Sequence, residues 1–175
     1  MSTNLIIARP SAEEYPEWVT GYIATVQSEN LLEALQASHD HNLSQIQTLN
    51  EEQLTYRYEP GKWTIKEVLG HIIDTERIMA YRALRFARKD KTPLPGFDQD
   101  LFVENAQTQQ RDIQAIMKEY SAVRQANIEL FRSFNEETLA QSGTANDRQI
   151  SVRALGYTIA GHETHHWNII KERYL

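Results

Sequence analysis

The chain contains no cysteine among its 175 residues. That absence excludes disulfides, thiolate metal sites and a cysteine nucleophile, so any thiol chemistry needs a thiol brought from outside. No apolar run approaches the roughly 20 residues that cross a bilayer. The first residues, MSTNLIIARPSAEE, lack the basic start, apolar core and small-residue cleavage site of a signal peptide. A cytoplasmic protein with no membrane partner is the expectation. Charge of one sign is missing too. The net charge is -6, with acidic and basic residues mixed throughout. The one dense basic patch is Arg82, Arg85, Arg88, Lys89 and Lys91. It falls near the end of an expected helix, where cations favour the helix dipole. A solvated helix end is therefore expected there, and no nucleic-acid partner.

Repeats and low-complexity tracts are also absent, and strand-like alternation is weak. What is present is helical periodicity. The spacing predicts a helix from about Asn30 to Leu49, with Leu31, Leu32, Leu35, Leu43 and Ile46 on its apolar face. A second begins at Thr64, where Thr64 and Glu67 form a T-x-x-E capping box, and runs to about Lys89. A third runs from about Asp100 to Phe134 and a fourth from about Ser151 to Tyr174. Pro60-Gly61, Pro93-Leu-Pro-Gly96, Ser142-Gly143 and Asn146-Asp147 punctuate the connections. The expected fold is all-α, a four-helix bundle forming a single domain over residues 1–175. Residues 1–29, with Tyr15, Trp18 and Tyr22, read as a short helical extension packing on the bundle or on a partner subunit.

The fourth helix carries the chemistry. Val152, Leu155, Ile159 and Ile170 define its apolar face, and His162 and His166 fall inside that face. Two imidazoles one turn apart can chelate one ion, because their ring nitrogens converge. His165 falls about 100° from the centre of the face and cannot join them. The competing reading is a pair of core histidines with satisfied hydrogen bonds. Burying such a ring without a partner costs on the order of 1–3 kcal/mol, which favours a metal. His39, His41 and His71 are the candidates for a third ligand. The first two lie in a polar stretch expected at the surface, and His71 falls on the flank of its helix. Spacing alone leaves the choice open.

His162-Glu163-Thr164-His165-His166 also matches H-E-x-x-H, in which the Glu is the general base of zinc metallopeptidases. Only nine residues follow His166 and no substrate-aligning sheet is expected, which disfavours peptide cleavage. Glu163 remains the candidate catalytic base toward a water.

Four segments together carry a resemblance. They are Arg57-Tyr-Glu-Pro-Gly-Lys-Trp-Thr-Ile-Lys-Glu67, Gly70-His-Ile-Ile-Asp-Thr-Glu-Arg77 with Tyr81-Arg82, Pro93-Leu-Pro-Gly-Phe-Asp98, and Ala160-Gly-His-Glu-Thr-His-His166 with Glu172-Arg-Tyr174. In these the chain resembles the DinB/YfiT-like superfamily, above all its YfiT-type branch. The resemblance implies an up-down four-helix bundle that often forms homodimers. It implies a metal site with one His from the second helix and an H-x-x-x-H pair from the last: His71, His162 and His166. The ion implied is one divalent metal, zinc or nickel. The activity implied is that of a metal-dependent hydrolase, or of an S-transferase using a low-molecular-weight thiol such as bacillithiol on a small-molecule substrate. A non-catalytic, stress-related metal-binding protein is the alternative. Asp74 and Glu76 are candidate outer partners, since ligating histidines usually donate their second N–H to a carboxylate or carbonyl. For Glu76 a buried salt bridge with Arg77 or Arg153 is the rival expectation.

Overall fold

Thr64 and Glu67 open the longest helix with the reciprocal bonds of a capping box. Thr64 Oγ1 accepts from the Glu67 N–H at 3.2 Å, and Glu67 Oε2 accepts from the Thr64 N–H at 2.7 Å. The computed structural model describes residues 6–175. Its helices are α1 (Thr20–Thr25), α2 (Leu31–Ile46), α3 (Glu51–Thr55), α4 (Ile65–Ala87), α5 (Gln99–Ala106), α6 (Ile113–Arg132), α7 (Glu136–Leu139) and α8 (Val152–Arg173). The four long ones, α2, α4, α6 and α8, make the bundle.

Two of the expected helices are shorter than their periodicity suggested. The first ends at Ile46, and α3 follows as a separate turn with its own Asn50/Gln53 capping box. The third breaks at Gln107, whose φ of 51° is left-handed and cannot continue a helix. One element was not foreseen. Ser142–Ala145 and Arg148–Ser151 pair as an antiparallel hairpin, β1 and β2, across Asn146 and Asp147. Both turn residues have positive φ, 50° and 60°, as a type I′ turn demands. Leu94 docks beside this hairpin, taking the Asn146 N–H at 3.0 Å and donating to Thr144 O at 2.9 Å.

Side-chain pairings give the helix directions. Leu31 packs on Gly156 and Ser38 bonds Glu163, so α2 and α8 run parallel. Arg77 meets Glu119, and Arg88 lies over Phe134 just past α6, so α4 and α6 also run parallel. Tyr174 Oη donates to Trp63 O at 2.6 Å while His71 meets His162, so α4 and α8 are antiparallel. Along the chain the helices run up, down, down, up. The bundle expected as up-down therefore has one parallel step, which the long connection from 88 to 112 makes possible. Each long helix packs mainly on two others, in the ring order α2, α6, α4, α8, and Arg124 of α6 also reaches Glu163 of α8 across the middle.

The apolar interior is divided into two clusters. One holds Leu31, Phe86, Phe131 and Leu155, the other Ile65, Ile72, Ile116 and Ile170. A buried polar layer contains Glu76, Arg124, Asn127 and Glu163. Of the extension, residues 1–5 lie outside the described residues, and α1 packs directly on α8. Val19 and Ile23 are buried, and a Cβ at Gly161 would run into the backbone of Tyr22. Thr25 Oγ1 donates to Tyr22 O and Gly161 O, tying α1 to α8 at that point.

Candidate metal centre

Antiparallel packing of α4 on α8 brings His71 opposite the His162/His166 turn. His162 Nε2 lies 3.1 Å from His71 Nε2 and 3.1 Å from His166 Nε2. One ligand atom from each of the three histidines falls within 4.8 Å of the others. An ion bound tetrahedrally at 2.0–2.1 Å would hold its nitrogens about 3.3 Å apart, so the spacing suits one.

The donor set makes the same point. His71 and His162 are buried. Burial pushes His71 down to about 4 and His166 down to about 3, the latter helped by His71 and His165. His162 is pushed well below its ordinary value, first by burial and then by its three histidine neighbours. All three are neutral near pH 7. A neutral ring nitrogen either donates one hydrogen bond or accepts one. His162 Nε2 therefore satisfies one of its two 3.1 Å contacts well and not both. A cation accepting three lone pairs satisfies all of them at once.

Aromatic rings wall the cluster. The Trp63 ring lies 4.8 Å from that of His71 and is stacked 6.5 Å from that of His166. Tyr22 meets His162 edge-on at 5.5 Å, and burial raises the Tyr22 hydroxyl pKa, so it stays protonated. Two cavities touch the histidines. One, of about 210 Å³, is lined by His71, His162, Tyr22, Thr75 and Arg82. The other, of about 330 Å³, is lined by His166, Trp63, Tyr58 and Lys62.

The remaining sequence candidates are placed elsewhere. His165 is exposed and packs edge-on against Tyr22. His41 is exposed, as its polar surroundings suggest. His39 is not: it is buried against the Tyr120 ring, because α2 turns that side of its polar stretch onto α6. Asp74 is half-buried and 3.8 Å from Arg77. Glu76 is engaged by a different arginine from those expected. Arg124 Nε and Nη2 grip both its oxygens at 2.9 and 2.8 Å, and Asn127 Nδ2 donates to Oε1 at 3.1 Å. Arg77 instead pairs with Glu119, and Arg153 with Glu136. Glu163 faces the same buried layer. Its Oε2 accepts from Ser38 Oγ at 2.6 Å and lies 2.9 Å from Arg124 Nη1. Burial and the Glu76 charge push Glu163 up to about 8, against the pull of hydrogen bonds from Ser38 and Asn42.

Relatives agree with this architecture. A family model described as the DinB superfamily matches residues 34–170. The chain belongs to the DinB superfamily. A curated relative from Oceanobacillus iheyensis, named "Putative metal-dependent hydrolase OB0413", is 30% identical over 128 residues, 72% of this chain and 73% of its own length. The solved structure of YfiT from Bacillus subtilis matches with a TM-score of 0.68 at 18% identity, over 93% of this chain and 89% of that one. That protein is described as a probable metal-dependent hydrolase with an unusual four-helix bundle topology. At this identity the match establishes the fold, and the parallel step between α4 and α6 is one way in which this DinB chain departs from a simple alternating bundle.

Sequence reasoning missed two residues. Arg124 is 1% exposed and central to the polar layer. Arg82 is buried at the wall of the cavity that His71 and His162 also line, and is not part of a solvated helix end. A charged residue spaced with the apolar face of its own helix was the only available signal for either.

Proposed function

We propose that this protein is a metal-dependent enzyme acting on a small molecule at His71, His162 and His166. The observation that carries the reading is the convergence of three neutral imidazole nitrogens, two on buried rings and one on a half-buried ring, without a proton arrangement that satisfies them. Zinc and nickel both suit imidazole ligands. Such an ion supplies Lewis acidity, lowering the pKa of a water or thiol that reaches it. The chain's own residues do the rest. Depressed proton affinity keeps the histidines available as ligands near neutral pH. Trp63 and Tyr22 cover their flanks and restrict the approach of water. Glu163, anchored by Ser38 and Arg124, fixes the rotation of α8 and so aims its neighbour His162, which is a positioning role and not that of a base.

The relatives described as hydrolases support hydrolysis of a small ester or amide. A second reading, transfer of an external thiol to an electrophile, is favoured by the two cavities that touch the cluster, one for each reactant. Elemental analysis of the purified protein should find one ion per chain. His71→Ala, His162→Ala and His166→Ala should each lose it, while His41→Ala and His165→Ala keep it. Metal-loaded protein should turn over an activated ester or conjugate a small thiol to a model electrophile, and His162→Ala should do neither. Full metal content in the His162 variant would refute the site. A metal-loaded protein inert to both panels would refute the enzyme reading.

A further inference from the structure

Among the described residues, the buried cations have carboxylate partners, with one exception. Arg124 grips Glu76, and the buried Lys66 ammonium sits 2.6 Å from Glu51. Arg82 is 5% exposed. Its Nη2 donates to Pro95 O at 2.8 Å, and its Nη1 lies 3.7 Å from Met79 Sδ. Both acceptors are neutral, and among the described residues no carboxylate comes within ion-pair distance of it. A guanidinium carries five N–H donors and does not lose its charge in a protein. With only neutral acceptors from the protein, its remaining donors are left for whatever occupies the space that it faces.

Arg82 lines the cavity of about 210 Å³ that His71 and His162 also line. The residues around that cavity include no Asp or Glu, so its field is positive. Thr75 also lines it, and Thr75 Oγ1 is buried with no hydrogen-bond partner. His71, Thr75, Met79 and Arg82 follow one another at spacings of four, four and three, which places them on one face of α4. Eleven residues span about 16 Å along the axis, and long helical side chains lean back toward the N-terminus, which shortens the gap. Met79 and Phe97 supply apolar wall between the two ends.

We propose that this cavity receives a small molecule bearing a carboxylate, bound by the Arg82 guanidinium and the Thr75 hydroxyl, with an apolar middle and its reacting end at His71 and His162. The substrate class thus deepens the metal-enzyme reading and rests on it only for the reacting end.

Two measurements separate the two claims. Metal-free protein is titrated with hexanoate and with hexanol, following the Trp18 indole at the cavity rim by NMR. Cobalt-loaded protein is titrated with mercaptohexanoate and mercaptohexanol, following sulfur-to-cobalt absorption. In both, the carboxylate should bind about tenfold or more tightly than the alcohol, the scale of a charge-assisted hydrogen bond. Arg82→Gln should abolish the difference and leave alcohol binding unchanged. Arg82→Lys should retain part of it, which excludes a folding defect as the cause. Thr75→Val should weaken carboxylate binding severalfold without altering cobalt content. Equal binding of acid and alcohol by the unsubstituted protein, or a preference surviving in Arg82→Gln, would overturn the proposal. If cobalt fails to bind the histidines, the metal reading falls and the hexanoate titration still decides Arg82.

Discussion

Replacing Arg124 with Met tests the buried polar layer most directly. The guanidinium makes two bonds to Glu76, donates to Leu35 O at 2.7 Å and to Ser38 Oγ at 3.2 Å, and lies 2.9 Å from Glu163 Oε2. Glu76 and Glu163 are 2% and 1% exposed. Met fills most of the volume and none of the charge, so Glu76 loses its counter-ion and Glu163 loses a donor in a space that water does not reach. Removing one partner of such a buried pair costs about 3–5 kcal/mol. That is a large share of the roughly 5–15 kcal/mol by which a domain is stable. Urea denaturation followed by far-UV circular dichroism measures the loss. The triple variant Arg124→Met/Glu76→Gln/Glu163→Gln should recover most of it, because neutral groups of the same shape leave no stranded charge. The pH dependence has a definite sign. Burial already holds the folded pKa of Glu163 up at about 8, against an ordinary 4.5. An acid with a raised folded pKa contributes stability that is present below the unfolded value and is lost as pH rises. Losing Arg124 lifts that folded pKa further, so the part of the deficit that runs through Glu163 should appear as pH rises past about 8. A loss below about 1 kcal/mol, or a triple variant no better than the single one, would refute the network's role.

Acid should destabilise the metal-free protein through its histidines. With folded values near 4 for His71 and 3 for His166 against 6.5 unfolded, their contribution is complete above pH 6.5 and lost as pH falls toward 4. Thermal melting across that window checks it, and a flat profile would contradict a neutral, buried cluster. Gly161→Ala should lower stability by about 1–3 kcal/mol, since the added methyl meets the Tyr22 backbone and must push α1 outward. An unchanged melting temperature would show that α1 is not seated on α8 as described.

Legibility in the sequence followed the strength of local signals. The start of α4 was readable because a capping box is written in four consecutive residues. The His162/His166 pair was readable because one helical turn has a fixed spacing. His71 was not singled out by its own helix, since which flank faces α8 depends on the order of helices in the bundle. That order is unusual, and periodicity carries no information about it. The hairpin was missed because four-residue strands give too little alternation, although Asn146-Asp147 is a turn pair that tolerates positive φ. Arg82 and His39 were read as surface, and Arg124 was not singled out, because charge and polarity usually mean exposure. Each is buried at or near the polar layer or the cavity, where function or pairing outweighs that tendency.

The split interior also keys the helices against sliding. A purely apolar seam tolerates displacement, since one Leu or Ile contact can be exchanged for the next. Arg124 cannot be exchanged in that way: it joins α6 to Glu76 of α4, to Leu35 and Ser38 of α2 and to Glu163 of α8 at one level. Moving any helix by a single residue shifts it about 1.5 Å and turns it about 100°, which breaks this junction. Because His162 precedes Glu163 and His71 lies about one turn and a half before Glu76, the same junction that prevents slippage sets the level at which the three imidazoles meet.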